Sequence, residues 1–153
     1  MRIAIAEVSH ESNVFSSVPI GLAGVKRAGN DVTIVATGWM VHHALSAAEQ
    51  LAAEGIQAEV VDPRTLAPLD TATILRSVEK TGRVVLVDQA PRHASVAALI
   101  AAEIAEAGFH ALKAPPRLVT ALDYPVPYSK PLEEYVLPSV EKIVQAVRGV
   151  LAT

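Results

Sequence analysis

Short apolar runs alternate with longer amphipathic stretches along most of the chain. Residues 31–37 are mainly Val, Ile and Thr and lie between glycine-containing turns, which predicts a buried strand. From Met40 to Glu54, apolar residues recur every three or four positions, as on a helix with one buried face. Three more strand-and-helix pairs follow. The predicted strands are 31–37, 56–62, 83–88 and 117–121, and the predicted helices are 40–54, about 70–80, 94–107 and 139–151.

This alternation predicts one α/β domain with a parallel sheet and helices on both faces. The strand at 83–88 supports the prediction, because it is almost entirely Val and Leu, as expected of a strand covered on both sides. A further strand at 22–27 is joined to the first by the turn at 28–30, so the two strands are antiparallel or lie side by side through a neighbour. The proline-rich stretch 124–138 is interpreted as a connection to the last helix.

The composition narrows the chemistry of the core and the choice of partners. Of the 153 residues, 51% are hydrophobic but only 4% are aromatic, so Ala, Val, Leu and Ile must fill the core. The formal net charge of −3 provides no basic field, which argues against nucleic acid and anionic lipid as partners. The absence of cysteine excludes disulfides and thiolate chemistry. No apolar run approaches the roughly 20 residues that span a bilayer, so we expect a cytoplasmic protein with no membrane contact.

The sequence offers no complete catalytic, cofactor or metal motif. Its eight glycines are scattered, and neither a dinucleotide-binding nor a P-loop glycine pattern occurs. His42 and His43 are adjacent, so on a helix their side chains point about 100° apart and cannot bind one ion. We therefore expect a helix-surface or subunit-contact role for this pair, and we assign no catalytic, cofactor-binding or metal-binding residue.

The ends of two strands carry the remaining candidates. Arg64 follows the strand at 56–62, and Arg92 and His93 follow the strand at 83–88, at the edge where open α/β sheets bind ligands. Arg64 is either an anion clamp or part of a loop held by an arginine-to-carboxylate hydrogen bond, and the second interpretation is favoured because such pairs are common. The same alternatives apply to Arg92 beside Asp88. The candidates for anion or interface contacts are thus Arg64, His42, His43, Arg92 and His93.

Several stretches resemble a known family. From residue 18 to the C-terminus, the chain is similar to the C-terminal domain of transketolase-like proteins. Specifically, it resembles the beta subunits of acetoin dehydrogenase and of the thiamine-diphosphate-dependent 2-oxo acid dehydrogenases. The resemblance leaves the substrate open among pyruvate, branched-chain 2-oxo acids and acetoin. The stretches that carry it, in the family's order, are DVTIVATG (31–38), AAEQLAAEG (47–55), VDPRTLAPLD (61–70), KTGRVVLVD (80–88), PVPYS (125–129) and PLE (131–133).

The resemblance implies a three-layer α/β/α domain with a five-stranded, mostly parallel sheet, in which 22–27 is the one antiparallel strand. It also implies that thiamine diphosphate and magnesium are held elsewhere in the family's assembly, between a pyrophosphate-binding and a pyrimidine-binding domain, and not by this chain alone. The Gly-Asp-Gly motif of the first of those domains does not occur in the sequence. In the family, the C-terminal domain buries surface between subunits and helps to dock the acyltransferase core.

Three functional hypotheses follow from these observations. The first is a transketolase C-terminal-like domain that is inactive alone and acts in subunit association. Its expected partners are a second copy, the dehydrogenase alpha and beta domains and the acyltransferase core. The second is one chain of a split thiamine-diphosphate enzyme, active only on assembly. The third is a small-ligand-binding module that uses the strand ends at Gly38, Arg64 and His93.

Residues 1–17 differ from the rest of the chain. They resemble the beginning of microcystinase-C-like metallopeptidases and are expected to be a segment of different origin, followed by the transketolase C-terminal-like domain at 18–153. His10 and Glu11 are too few to close a zinc site, so we expect this segment to be non-catalytic. The alternation of Ile and Ala over 2–6 predicts a strand on a sheet edge or across a dimer.

Overall fold

Strands and helices alternate through the structure, a computed structural model that describes residues 5–7 and 16–153. The strands are β1 (Ile5–Glu7), β2 (Ser16–Val18), β3 (Gly24–Arg27), β4 (Val32–Ala36), β5 (Ala58–Asp62), β6 (Val84–Pro91) and β7 (Arg117–Ala121). The helices are α1 (Met40–Ala53), α2 (Thr71–Thr81), α3 (Val96–Ala107), α4 (Lys130–Val136) and α5 (Val140–Leu151), with short 3-10 helices at Arg92–Ala94 and Phe109–Ala111. None of the described helices is long and apolar enough to cross a membrane.

Strands β3 to β7 form a five-stranded sheet in the order β3-β5-β4-β6-β7. Strand β4 is parallel to β5 and β6, and β6 is parallel to β7, whereas β3 is antiparallel to β5. The predicted mixed sheet with one antiparallel strand is confirmed. Of the two arrangements expected for 22–27, the structure has the second, in which β3 and β4 lie side by side through a neighbour, β5.

Helices cover both faces of this sheet. Along β4, Val32, Ile34 and Ala36 pack in a core formed with α1 and α5, while Val35 packs in a second core formed with α2 and α3. A strand between two helical layers must be apolar on both sides, which explains the unbroken run of aliphatic residues. Among the described residues, neither core contains an aromatic ring, in agreement with the low aromatic content.

Two polar side chains on the second face of the sheet are satisfied by helix α2. The Thr33 hydroxyl donates to the Ser77 carbonyl oxygen at 3.0 Å and shares a hydrogen bond with the Thr81 hydroxyl at 2.8 Å. Glu59, which is 2% exposed, forms an ion pair with Lys80. Because a buried polar or charged group is costly without a partner, these contacts fix α2 over β4 and β5.

Turns at both ends of the helices follow local rules. Asp70 precedes α2, and its side chain accepts the Thr73 N–H at 3.0 Å as an N-cap. Gly82 ends α2 with a φ of 74°, in the left-handed region that glycine adopts without strain. Gly29, in the turn before β4, lies so close to β5 that an added Cβ would be 2.3 Å from the carbonyl carbon of Ala58.

The proline-rich connection contains a helix that the sequence pattern did not predict. Pro131 lies in the first turn of α4, where a helix tolerates proline because the missing N–H has no partner there. Val136 is the one buried residue of α4, so the segment has no apolar stripe. Helix α3 also begins later than predicted, at Val96 and not at 94, because the Ser95 hydroxyl accepts the Ala97 N–H and caps the helix there.

Strands β1 and β2 form a separate two-stranded antiparallel sheet, with Ala6 opposite Ser17. The strand predicted at 2–6 therefore overlaps β1 at residues 5 and 6. Residues 2–4 lie outside the described residues, as do His10 and Glu11. The separate origin of 1–17 and the domain boundary at 18 stay predictions.

Candidate functional site

The carboxyl edge of the parallel strands collects most of the side chains that the sequence singled out. Strand β4 is followed by Gly38, β5 by Arg64, and β6 by the 3-10 helix Arg92–Ala94. Because these strands are parallel, the segments that follow them lie along one edge of the sheet, the usual position of ligands in α/β folds. The edge has a hydrogen-bonded carboxylate and one cleft, and a second cleft that runs along β7 reaches the edge at Arg92 and Asp123.

Within β6, Asp88 accepts three hydrogen bonds. The Ser95 hydroxyl donates to its Oδ2 at 2.7 Å, and the Thr37 hydroxyl and the Ala90 N–H donate to its Oδ1 at 3.1 and 3.3 Å. Burial alone would raise the pKa of Asp88, but these hydrogen bonds outweigh it and hold the pKa below its usual value. Since Ser95 also caps α3, the carboxylate connects β4, β6 and α3 and has a structural role.

A cleft of about 670 Å³, here named the β4–β5 cleft, lies between the carboxyl ends of β4 and β5. Two of the sequence candidates, His42 and Arg64, line it together. They meet because β5 is the neighbour of β4 in the sheet, so the loop after β5 lies beside the first turn of α1. The apolar part of the wall is formed by Val18, Ile20, Val41, Leu45 and Leu66.

Arg64 is positioned in the cleft by its backbone. Its φ is 60°, uncommon for a residue with a side chain, and its N–H donates to the Asp62 carboxylate at 2.9 Å. The guanidinium packs over Gly24, where the missing Cβ leaves room for it. The favoured interpretation, a loop held by an arginine-to-carboxylate hydrogen bond, has a counterpart among the described residues, but the donor is the backbone N–H of Arg64 and not its guanidinium. The Asp62 carboxylate accepts this N–H and also pairs with Lys26 at 3.5 Å.

The two adjacent histidines lie in different surroundings. His42 is exposed, and its ring centroid is 4.7 Å from that of Trp39. His43 is half-buried, and its Nδ1 is buried with no hydrogen-bond partner among the described residues. The pKa of Glu141, on α5, is lowered mainly by hydrogen bonds from its own backbone N–H and the Ser139 hydroxyl, with His43 contributing. His43 therefore belongs to the contact between α1 and α5, and His42 to the β4–β5 cleft.

The other two candidates lie at the far end of the same edge. Arg92 and Asp123 line a second cleft of about 750 Å³ between β7 and α5, here named the β7–α5 cleft. The Nδ1 of His93, an exposed residue, is 2.7 Å from the Asp123 Oδ2. Among the described residues Arg92 is not bonded to Asp88, so the arginine-to-carboxylate hydrogen bond expected at this strand end is wrong: Ser95, Thr37 and Ala90 occupy that carboxylate.

The described residues do not fit a magnesium diphosphate site by themselves. Magnesium is usually bound through carboxylates with the remaining positions filled by water and phosphate. Among the side chains that the structure describes, no group of three or more His, Asp or Glu is placed to hold a metal ion. Asp88, the carboxylate at the centre of the edge, already accepts three hydrogen bonds. We therefore assign no step of thiamine diphosphate chemistry to these side chains.

The sequence reasoning missed a run of exposed apolar residues that begins at the rim of the β7–α5 cleft, where Leu122 and Asp123 line it, and continues beyond it. All three tyrosines of the chain fall between residues 124 and 135, and all three are exposed. We name residues 122–136 the tyrosine arm; its exposed large hydrophobic residues are Leu122, Tyr124, Val126, Tyr128, Leu132 and Tyr135. The clustering of the tyrosines in a chain with 4% aromatic residues was the available signal.

Comparison with protein families and known proteins gives one consistent result. Residues 21–143 match the profile of the family described as "Transketolase, C-terminal domain". The beta subunit of acetoin:2,6-dichlorophenolindophenol oxidoreductase from Bacillus subtilis is 47% identical over 137 residues, which cover 90% of this chain and 40% of that protein. The same subunit from Cupriavidus necator is 49% identical over 132 residues, covering 86% of this chain and 39% of that protein.

Further relatives agree with these. The pyruvate dehydrogenase E1 component subunit beta of Bacillus subtilis is 44% identical over 135 residues, covering 88% of this chain and 41% of that protein. Among solved structures, a split gene transketolase, titled an inactive beta4 tetramer, has a TM-score of 0.74 and 32% identity, and the match covers 86% of this chain and 42% of that one.

The chain thus spans about two-fifths of the length of the relatives that it matches. The family profile covers more than three-quarters of the chain, and the five-stranded sheet with one antiparallel strand agrees with the expected fold. The predicted resemblance is confirmed. This chain belongs to the family of transketolase C-terminal domains.

Proposed function

We propose that this chain is the C-terminal association domain of a thiamine-diphosphate-dependent 2-oxo acid or acetoin dehydrogenase beta subunit, and that it is inactive alone. The observation that carries the proposal is its match to the C-terminal domain family, with up to 49% identity to acetoin oxidoreductase beta subunits. The carboxyl edge of the sheet supports the inactivity of the isolated chain, because the described side chains there either form hydrogen bonds with one another or line open clefts. A cytoplasmic location stays a prediction from the sequence.

The tyrosine arm is the surface that we propose for association. Tyrosine is enriched in protein interfaces because its ring provides a large apolar area with few rotatable bonds. The arm is also held in place: the Lys142 ammonium donates to the carbonyl oxygens of Tyr135 and Leu137, each at 2.6 Å. A positioned apolar surface loses less conformational entropy on binding than a mobile one.

We propose a second copy of the chain as the partner of this surface in the purified protein. The similar split gene transketolase chain, titled a beta4 tetramer, supports self-association of such domains. Dehydrogenase alpha and beta domains and the acyltransferase core are further proposed partners, which follow from the family resemblance.

Sedimentation velocity of the 153-residue chain tests the association. We expect a dimer at about 50 µM that dissociates on dilution. The triple variant Tyr124→Ser, Tyr128→Ser, Tyr135→Ser should be monomeric at the same concentration with an unchanged circular dichroism spectrum. Phe109→Ser, which removes an equally exposed ring outside the arm, is the control and should still dimerise. A monomeric wild-type chain, or equal dimers from the triple variant, would contradict the proposal.

A turnover assay tests the second part. The chain with thiamine diphosphate and Mg²⁺ should not reduce 2,6-dichlorophenolindophenol when acetoin or pyruvate is added. Turnover by the purified chain would show that it is active alone.

A second candidate function is supported by the split gene transketolase: this chain would be one polypeptide of an enzyme whose domains are separate chains. Adding pyrophosphate-binding and pyrimidine-binding domains as separate polypeptides should then restore dye reduction. The triple tyrosine variant should lower that restored rate if the arm contributes to assembly. Failure of any combination to produce activity would leave association as the function of the chain.

A further inference from the structure

We propose that the β4–β5 cleft binds a small anion that carries a short apolar tail. This site is independent of the proposed association function, since it lies at the ends of β4 and β5 and the tyrosine arm follows β7. The structure adds Lys26 and His42 to the strand ends Gly38 and Arg64 that the sequence indicated, and it removes His93, which pairs with Asp123 elsewhere.

The charge of the cleft favours an anion. Lys26, Arg64 and Asp62 line it, and Lys26 forms an ion pair with Asp62 at 3.5 Å. Among the side chains that the structure describes, no carboxylate lies within ion-pair distance of the Arg64 guanidinium, and the two cations Lys26 and Arg64 outnumber Asp62 in the lining of the cleft. In a chain whose net charge is −3, this is a local reversal of sign. Such a reversal at a concave site attracts a counter-ion.

The first turn of α1 adds a second favourable contribution at the same place. Gly38 has a φ of 54°, and a Cβ placed on it would meet nothing within 4 Å, so the backbone there is open to a ligand. Trp39, the N-cap residue, makes no side-chain cap, and within the described chain the N–H groups of Gly38 and Trp39 have no acceptor. Gly38, which precedes this 14-residue helix at its positive end, thus lies in the wall of the cleft.

The apolar lining of the cleft indicates that the anion carries an apolar tail. Ile20 and Leu66 are 40% and 52% exposed, and together with Val41 and Leu45 they give the cleft an apolar lining. Small-molecule sites are typically concave, mainly apolar and about 300–1,000 Å³ in volume, with a few polar groups that fix orientation. A carboxylate or a phosphate monoester with a chain of a few carbons would fit the cleft. Both have an anionic head, which would lie near Arg64 and Gly38, and an apolar tail, which would contact the apolar lining.

The test is a titration of the ¹⁵N-labelled full chain followed by heteronuclear NMR, with hexanoate, hexyl phosphate, hexan-1-ol and inorganic phosphate as probes. Hexanoate or hexyl phosphate should shift the amides of Gly38, His42 and Thr65 saturably, with a Kd of about 1 mM or below. The probe with the lower Kd identifies the headgroup. Hexan-1-ol, which lacks the charge, and inorganic phosphate, which lacks the tail, should bind at least about tenfold more weakly. Trp39, the single tryptophan, contacts His42 and provides a fluorescence readout of the same binding.

Variants separate this cleft from general attraction of anions to the sheet edge. Arg64→Gln should weaken binding of the better probe by about tenfold or more, because a hydrogen bond to a charged group is lost, and Arg64→Lys should retain most of the affinity. Arg92→Gln removes an equal charge from the β7–α5 cleft and should leave the Kd unchanged. The proposal is overturned by the absence of saturable shifts up to about 20 mM. It is also overturned if Arg92→Gln weakens binding as much as Arg64→Gln, or if either partial probe binds as tightly as the complete ones.

Discussion

At the scale of single residues, Asp88 shows how one carboxylate stabilises the edge of the sheet. It is 8% exposed, and its three hydrogen-bond donors come from the end of β4, from β6 itself and from the cap of α3. A carboxylate that accepts several hydrogen bonds is stabilised in its charged form, which is why its pKa lies below the usual value despite burial. The charged state of Asp88 is therefore part of the folded structure.

We expect Asp88→Asn to lower the free energy of unfolding by about 1–3 kcal/mol at pH 7, because an amide cannot accept all three hydrogen bonds. A group whose folded pKa is depressed contributes stability above its unfolded pKa, and this contribution is lost as pH falls through the folded pKa. The stability difference between wild type and variant should thus be constant from neutral pH down to about 5 and shrink below about 4. Urea unfolding at a series of pH values measures it. A difference as large at pH 3 as at pH 7 would refute this role of the charge.

Gly29 and Gly149 form a matched pair for alanine substitution. The backbone N–H groups of Asn30 and Asp31 both donate to the Gln57 carbonyl oxygen at 3.0 Å, which draws the turn onto β5. A Cβ on Gly29 would therefore collide with backbone atoms, whereas a Cβ on Gly149 of α5 would meet nothing within 4 Å. We expect Gly29→Ala to lower the unfolding free energy by about 1–3 kcal/mol or more, and Gly149→Ala to raise it by about 0.5–1 kcal/mol. Thermal or urea unfolding measures both changes, and equal effects of the two would contradict the structure.

At the scale of elements, the tyrosine arm depends on α5 for its position. The Lys142 ammonium caps the end of α4 through two carbonyl oxygens and lies 5.9 Å from the centre of the Tyr135 ring. Beyond this, the Leu122 N–H donates to the Val136 carbonyl oxygen at 3.1 Å, which closes the arm at its base. A short helix with one buried residue depends on such contacts, because its own propensity is insufficient.

Lys142→Met keeps most of the aliphatic stem but removes the capping charge. We expect faster hydrogen exchange, by about tenfold, at the amides of Glu133 and Leu137, since loss of a charged hydrogen bond costs about 1.5 kcal/mol locally. The amides of β4 and β6 should not change. Lys130→Met is the matched control: Lys130 is 83% exposed and 4.0 Å from Glu134, a pair of little energetic value. Equal acceleration in both variants would show that Lys142 does not hold the arm.

The sequence predicted some elements of the fold and of the candidate site but not others. The strands and helices from 31 to 121 were predicted because their apolar residues repeat with the period of a buried strand or helix. Helix α4 was not, since its buried surface is too small to leave such a pattern. The sequence indicated a hydrogen bond from Arg64 to a carboxylate but not its donor atom, because only the φ of 60° brings the backbone N–H, and not the guanidinium, to Asp62. The meeting of His42 with Arg64 depends on the strand order, which periodicity does not encode.

At the scale of the whole molecule, one sheet separates two aliphatic cores. Ile143 of α5 and Ile100 of α3 are each at most 1% exposed, and they pack on opposite faces of the same strands. Neighbouring residues of β4, such as Ile34 and Val35, belong to different cores. Because every central strand is a wall of both cores, loss of packing on one face removes support from the other. The two layers should therefore unfold together.

We expect Ile143→Ala and Ile100→Ala each to lower the free energy of unfolding by about 2–5 kcal/mol, from lost burial plus the cavity left behind. Urea unfolding should remain a single transition in both, with the same midpoint by far-UV circular dichroism and by the fluorescence of Trp39, which lies at the start of α1 on the Ile143 side. The change for Ile100→Ala is the decisive case, since Trp39 precedes α1, a helix of the opposite core, and still has to report the full loss. If the fluorescence midpoint of that variant stays at the wild-type value while the circular dichroism midpoint falls, the two faces unfold independently and the sheet does not couple them.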